Sequence, residues 1–185
     1  GGISKSRGAQ EMIQALNLAG SDIRLILAGY YAPDFFPKTG GEFQHNGQLT
    51  QLGFLNREEI CALLKESIAG LVVLHPTRAY VNSWPIKLFE YMSASLPVIA
   101  SDFPLWRNII CNAQCGILVD PLDPSAIARA MRWIKDHPLE AAEMGRHGRN
   151  AVIQYYNWES EFPKLLSLYS QAYKLWKSSS RKIIQ

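Results

Sequence analysis

The sequence predicts an α/β protein, a three-layer sandwich in which a parallel sheet is covered on both faces by helices. Three observations predict it. Short β-type runs alternate with longer runs of helical period. Several β-type runs are unbroken apolar stretches, as strands buried on both faces require. No internal repeat or low-complexity segment interrupts the alternation. With 185 residues, 48% of them apolar, the chain can bury one good core, and disorder is excluded.

The elements follow in order. Gly1, Gly2 and Ile3 run directly into a turn of small and basic residues, Ser4 to Gly8, which reads as the end of a strand and its following βα turn, with most of that strand expected to lie outside the sequence. Apolar residues at helical spacing predict helices over 10–19, 57–66, 85–94 and 125–135, and strands are expected at 23–28, 49–53, 71–75, 97–100 and 116–119. The helix over 125–135 has the clearest signals: Asp123 is a capping side chain, Pro124 suits the first helical position, and Ile127, Met131 and Ile134 form one apolar face. Residues 30–48 hold two prolines, three glycines and no clear period, which predicts a long loop.

Two further helices are expected over 138–154 and 158–176, completing a single domain over 1–176, and the Ser-rich tail 177–185 is expected to fray. Pro163 is expected to kink or break the last helix. Its stripe of Phe162, Leu165, Leu166, Tyr169, Tyr173 and Trp176 is broader than an end cap requires, and the second half is expected to face a neighbouring amino-terminal domain outside this sequence. The first half is expected to pack on the domain's own sheet.

Charge and cysteine content exclude several classes. Nineteen Lys plus Arg against 16 Asp plus Glu leave a net charge of +3, with no dense basic stripe, so nucleic acid is not the expected partner. The longest apolar stretches, 70–74 and 96–100, are far below a bilayer span, and no segment reads as a signal peptide. Cys61, Cys111 and Cys115 form no metal-type pair, which points to a reducing, cytoplasmic compartment; Cys111 and Cys115 are expected to be buried or half-buried.

In an open parallel sheet ligands bind at the carboxyl ends of the strands, where helix amino-termini offer free N–H groups to anions. The sequence lacks G-x-G-x-x-G and G-x-x-x-x-G-K-[ST], which argues against a dinucleotide dehydrogenase and a P-loop enzyme. In the first βα turn, small residues would let a phosphate approach the backbone while Arg7 binds it; composition alone favours surface-exposed cations. The segment after the 71–75 strand carries Thr77, Arg78, Asn82 and Ser83 and enters a helix at Pro85, with Lys87 and Glu90 three residues apart. By spacing alone these two are a surface ion pair worth about a few tenths of a kcal/mol; functionally, Lys87 and the helix start would hold phosphate while Glu90 accepts from sugar hydroxyls. Asp120 and Asp123 could suggest a metal pair, but Asp123 reads as a helix cap, so no metal site is expected. His75, at a strand end, reads as a structural histidine or a catalytic one. Trp84, Trp106 and Trp176 read as core or interface anchors.

From Pro85 to Asp102 the sequence P-I-K-L-F-E-Y-M-S-A-S-L-P-V-I-A-S-D resembles the donor-binding signature of retaining GT-B glycosyltransferases of family 4. The pieces G-G-I-S-K-S-R-G, L-I-L-A-G, L-G-F-L, C-G-I-L-V-D-P-L-D and Y-Y-N-W fall in the family's order, so the resemblance covers nearly the whole chain. It implies a Rossmann-like domain, the carboxy-terminal half of a GT-B fold. It further implies that Glu90 binds the nucleotide ribose, that Arg7 contacts the donor diphosphate, that Leu55 lies beside the base, and that the backbone of Asn82, Ser83, Trp84 and Pro85 faces sugar and phosphate.

Arg7 and Lys87 are then the catalytic cations, and Glu90, Asn82, Ser83, Trp84, Leu55 and Gly2 the donor-binding set. Gly2 stands where many members carry an Arg, Asn82 where they carry the first Glu, and Lys87 where they carry a Pro; the P-x-K-L-F-E-Y variant resembles a subgroup that makes surface polysaccharides. The expected ligand is a UDP- or GDP-sugar without a metal. The expected acceptor, a glycan or lipid-linked sugar, would be held by the absent domain, with the full-length enzyme peripheral on the inner membrane face. The isolated domain is expected to bind donor without turnover. A non-catalytic binding module derived from such an enzyme is the alternative.

Overall fold

A computed structural model describes residues 2–33, 35 and 47–181, with side chains to 177. The strands are β1 (Gly2–Ile3), β2 (Leu25–Ala28), β3 (Tyr30–Tyr31), β4 (Leu49–Leu52), β5 (Gly70–Val72), β6 (Val98–Ser101) and β7 (Gly116–Val119). The helices are α1 (Ala9–Ala19), α2 (Arg57–Glu66), α3 (Arg78–Val81), α4 (Ile86–Ser93), α5 (Pro104–Ala113), α6 (Pro124–Asp136), α7 (Pro138–Tyr155) and α8 (Trp158–Arg181), with a 3-10 turn at Lys5–Arg7. Every pair of strands is parallel: β1 with β3, β2 with β4, β5 with β6 and β6 with β7.

Two joints turn these ladders into one layer. At Gly29, φ is 141°, a conformation that L side chains rarely adopt. The chain bends there, so residues 25–28 pair with β4 while Tyr30–Tyr31 pair with β1, and the Gly29 N–H donates to both Leu52 O and Gly53 O. On the other side of β1, the His75 N–H donates to Ser6 O at 2.9 Å. The spatial order is therefore β4, β2–β3, β1, β5, β6, β7, and the direction of strand succession reverses between β1 and β5. This is the switch point at which doubly wound sheets bind ligands.

The core lies in two layers, as expected for a sheet covered on both faces. On one face Ile13 and Leu16 of α1 and Ile127, Met131 and Ile134 of α6 pack with Ile3, Leu25, Leu27, Val73 and Ile99. On the other, Leu88 and Met92 of α4, Trp106 and Ile110 of α5 and Ala151 of α7 pack with Val72, Val98, Ala100 and Cys115. Within β6, Ile99 faces the first layer and Val98 and Ala100 the second, the period of two that a central strand imposes. Burial of each large aliphatic chain contributes about 1.5–3 kcal/mol. The Asp123 side chain caps α6 from Ser125 N–H at 2.8 Å, with Pro124 in the first turn. Small residues of α7, Ala141, Gly145, Gly148 and Ala151, are buried and let that helix approach closely.

Several expectations are corrected. The expected loop over 30–48 includes strand β3, because Tyr30–Tyr31 finds a partner in β1; residues 34 and 36–46 lie outside the described set. Helix α5, absent from the sequence reading, is carried by Pro104 in its first turn and by Trp106, Ile109 and Ile110 on one face. Cys111 is exposed on α5, whereas Cys115 is fully buried. Helix α8 continues through Pro163 rather than breaking. Pro163 lies close to the amino end, so the Glu159 carbonyl that loses its helical partner sits in an exposed first turn, open to solvent. The helix extends to Arg181, past the expected start of the frayed tail, and residues 182–185 are outside the described set. Its first half does not pack on the sheet: Phe162, Leu165 and Leu166 are exposed, as are Tyr169, Tyr173 and Trp176. Among the described residues no helix is long and apolar enough to cross a membrane.

Thiol chemistry offers a direct check of the layering. Burial pushes the Cys115 thiol up to about 11, while Cys61 and Cys111 are exposed. Ellman's reagent at pH 8 should therefore titrate two thiols in the native protein and all three in denaturant; prompt reaction of three in the native state would contradict the placement of Cys115 under α7.

Candidate functional site

The site is built where the β1 and β5 ends meet. Ser4 is buried and its carbonyl accepts from the N–H groups of Arg7 (3.2 Å) and Ala9 (3.3 Å), closing the 3-10 turn. Gly8 takes the left-handed conformation at φ 68°, and a Cβ there would stand 2.0 Å from Val73 O. Only a glycine lets the turn close against β5 and start α1 immediately. Beside it the Arg7 Nη1 donates to Gly2 O at 3.3 Å, which holds the guanidinium over the end of β1.

The β5–α4 connection is pinned from below by β6. The buried Ser101 hydroxyl accepts from Leu74 N–H and donates to Leu74 O, both at 2.8 Å, so one side chain satisfies both backbone groups where β5 ends. Thr77 then caps the short helix α3 by accepting from Tyr80 N–H. The Trp106 indole N–H donates to Ser83 O at 2.8 Å, and the Ser83 hydroxyl donates to Tyr80 O at 3.1 Å. Helix α4 begins at Pro85 with no side-chain cap, so its first N–H groups have no side-chain acceptor.

The residues singled out from the sequence divide into three groups. Gly2 and Arg7 are in contact. Asn82, Ser83 and Trp84 form one hydrogen-bonded segment leading into α4, whose first two turns carry Lys87 and Glu90, both exposed. Leu55 follows β4 and is half-buried. Arg7, Lys87 and Glu90 form no ion pair among the described residues, so Lys87 and Glu90 are not the mutual surface pair their spacing allows. The Asn82 amide is engaged, donating to Arg78 O at 3.2 Å. Trp84 is not a core anchor: it is 55% exposed and stacks on Phe89. Trp106 is fully buried, and Trp176 is exposed.

Some supporting groups have little signal in the sequence. Ser101 and Trp106 act on backbone far away in the chain. His75 Nε2 lies 3.0 Å from Glu11 Oε2 on α1, both side chains largely buried, in close contact without hydrogen-bond alignment. Asp102, at the end of β6, is closed off by Arg107, whose two hydrogen bonds hold its carboxyl below the usual range. Asp120 and Asp123 accept from the backbone N–H groups of Leu122 and Ser125. No cluster of His, Cys, Asp and Glu with metal-ligating geometry occurs among the described residues. Arg7 over the end of β1, and the uncapped start of α4 with Lys87 in its first turn, can each attract an anion, and Glu90 one turn further on can accept hydroxyl donors.

Known proteins resemble this chain in sequence and in fold. Residues 1–151 match the model of the family described as Glycosyl transferases group 1. The D-rhamnosyltransferase WbpZ of Pseudomonas aeruginosa is 33% identical over 105 residues, 56% of this chain and 26% of the relative. The chain spans about a quarter of the length of the curated relatives it matches. Among solved structures, Anabaena HepE in complex with UDP superposes with a TM-score of 0.74 at 16% identity, over 92% of this chain and 47% of that one. The C-terminal domain of the group 1 protein LpcC from Francisella tularensis gives 0.70 at 20% identity, over 85% and 83%. These likenesses show the fold of GT-B glycosyltransferases, with the Rossmann-like α/β layering described above.

Ser101→Ala removes both partners of Leu74 in a buried setting. It should cost about 1–3 kcal/mol in urea unfolding, and should speed amide exchange through residues 74–84 more than in α1. Equal exchange in both regions would show that Ser101 does not hold the loop.

Proposed function

The chain belongs to the glycosyl transferases group 1 family, and on that premise we propose that it is the donor-binding domain of a retaining GT-B glycosyltransferase of family 4, taking a nucleotide-sugar. The observation that carries this reading is that the Arg7 turn is joined to the start of the β5–α4 connection by the His75 N–H on Ser6 O, while the start of α4 carries no side-chain cap. In this reading the diphosphate lies between Arg7, Lys87 and the first N–H groups of α4. These offset the charge that builds on the leaving diphosphate as the glycosidic bond breaks. Glu90 accepts from the ribose diol, the backbone of Asn82, Ser83 and Trp84 faces the sugar and phosphate, and Leu55 lies beside the base. No metal is needed for this division of labour.

The acceptor, a glycan or lipid-linked sugar, is held by a second domain, and this chain alone binds donor without turning it over. The whole enzyme acts in the cytoplasm, peripheral to the inner membrane face. The likeness to the D-rhamnosyltransferase WbpZ supports transfer of a sugar, and the HepE complex supports a UDP-type ligand. One observation favours the alternative of a non-catalytic nucleotide-binding module: Asn82 stands where a sugar-contacting carboxylate is expected, and its amide is spent on Arg78 O.

A thermal-shift series with UDP-, GDP- and ADP-sugars tests the reading, since a ligand at 100 times its dissociation constant adds about 2.7 kcal/mol of apparent stability. Stabilisation by none of them would refute it. Glu90→Ala should weaken nucleotide binding by about 1.5–3 kcal/mol with the fold intact, measured by calorimetry; unchanged affinity would remove Glu90 from the site. Chelator should leave binding unaltered and added salt should weaken it through screening, whereas a strict magnesium or manganese requirement would contradict the metal-free phosphate site.

A further inference from the structure

Tyr30 and Phe54 are large aromatic side chains that the core does not use. They are 67% and 69% exposed, and their rings lie nearly parallel, at 14° with centroids 6.3 Å apart. Both stand at the carboxyl edge of the sheet. Tyr30 begins β3, just past the bend at Gly29, and Phe54 follows β4 after Gly53. The forked hydrogen bond from Gly29 N–H to Leu52 O and Gly53 O fixes one ring beside the other.

A continuous line of contacts joins this pair to the cation of the site. In the parallel ladder Tyr30 is the register partner of Gly2, and Gly2 O accepts from Arg7 Nη1. A Cβ on Gly2 would meet nothing within 4 Å except the Arg7 guanidinium, and one on Gly53 would meet nothing at all. The surface from Phe54 through Tyr30 and Gly2 to Arg7 is thus two exposed ring faces, a floor without side chains and a guanidinium, across two strand spacings, about 10 Å. That sequence of groups matches a nucleoside diphosphate laid along it, planar base on the rings and phosphates on the cation. An aromatic face stacks any base and adds affinity without choosing among them.

We propose that the Tyr30–Phe54 pair is the stacking platform for the base of a nucleoside diphosphate whose phosphates are held at Arg7. The proposal rests on the donor-binding reading and adds to it two residues and a division of affinity between base and phosphate. Because the platform is indifferent to base identity, UDP and GDP both depend on it, and discrimination between them belongs to other groups.

Calorimetry with UDP, GDP and inorganic pyrophosphate on the chain and its variants tests this. Tyr30→Ala and Phe54→Ala should each weaken UDP and GDP by about tenfold and leave pyrophosphate unchanged, Phe54→Tyr should bind as the parent does, and Arg7→Ala should weaken all three ligands. Tyr30→Leu and Phe54→Leu keep apolar bulk without a ring face, and should reproduce the loss if the alanine variants fold poorly. Parent-like nucleotide affinity in the folded Tyr30 and Phe54 variants, with Arg7→Ala weakened, would overturn the platform and leave the donor-binding reading standing. Failure of the parent chain to bind either nucleotide would overturn both.

Discussion

The structure depends on the seam between β1 and β5. The ladders on its two sides are joined there by the His75 N–H on Ser6 O and by the close seat of Gly8 against the Val73 carbonyl. That seam sets the ladders side by side in one layer and sets the strand order, although β1 and β5 themselves share no ladder. It also brings the first βα turn to the mouth of the β5–α4 connection. Because every strand is parallel, all carboxyl ends share one edge, so a reversal of order opens a cleft between neighbouring helices rather than a covered edge. The anion binding proposed for the site rests on this geometry before any charged side chain is counted.

Charge on the surface separates into closed and open groups. Arg107 is closed on Asp102, Lys135 on Asp22, Arg146 on Glu143 and Lys164 on Glu161. Such exposed pairs contribute little to stability. Their effect is to remove those side chains from the set available to a ligand. Arg7 and Lys87 are open, as are several other surface cations. What distinguishes these two is position, one over the end of β1 and the other in the first turn of α4, where the backbone already favours negative charge.

The supporting shell is mostly neutral. Ser101 holds Leu74, Trp106 holds Ser83, and Thr77 starts α3, so the loop that faces the cleft is fixed by hydrogen bonds to its backbone. Tyr80 and Val81 pack against the core and the Thr77, Ser83 and Asn82 side chains bond back to the loop, while Trp84 is exposed. The aromatic residues follow the same division. Trp106 is enclosed and serves the scaffold, whereas Tyr30, Phe54 and Trp84 are exposed along the edge where the strands end.

Local chemistry determined much of this protein. The apolar spacing of Ile127, Met131 and Ile134 behind an Asp-capped start specifies α6, and the apolar run at 97–100 specifies a strand buried on both faces, because period and capping act over a few residues. The ordered motifs likewise placed Arg7, Lys87 and Glu90 on the loops and helix starts where they stand. Contacts between segments far apart in the chain were decided only in three dimensions. The bend at Gly29 gives Tyr30 to β1 and turns an apparent loop into a strand, and Ser101 and Trp106 clamp a loop that neither adjoins in sequence. Phe54 meets Tyr30 only because β2 and β4 are neighbours. Strand order sets all of these contacts, and a pattern of local periods does not encode strand order, since the same runs of residues would form the same elements in any arrangement of the sheet.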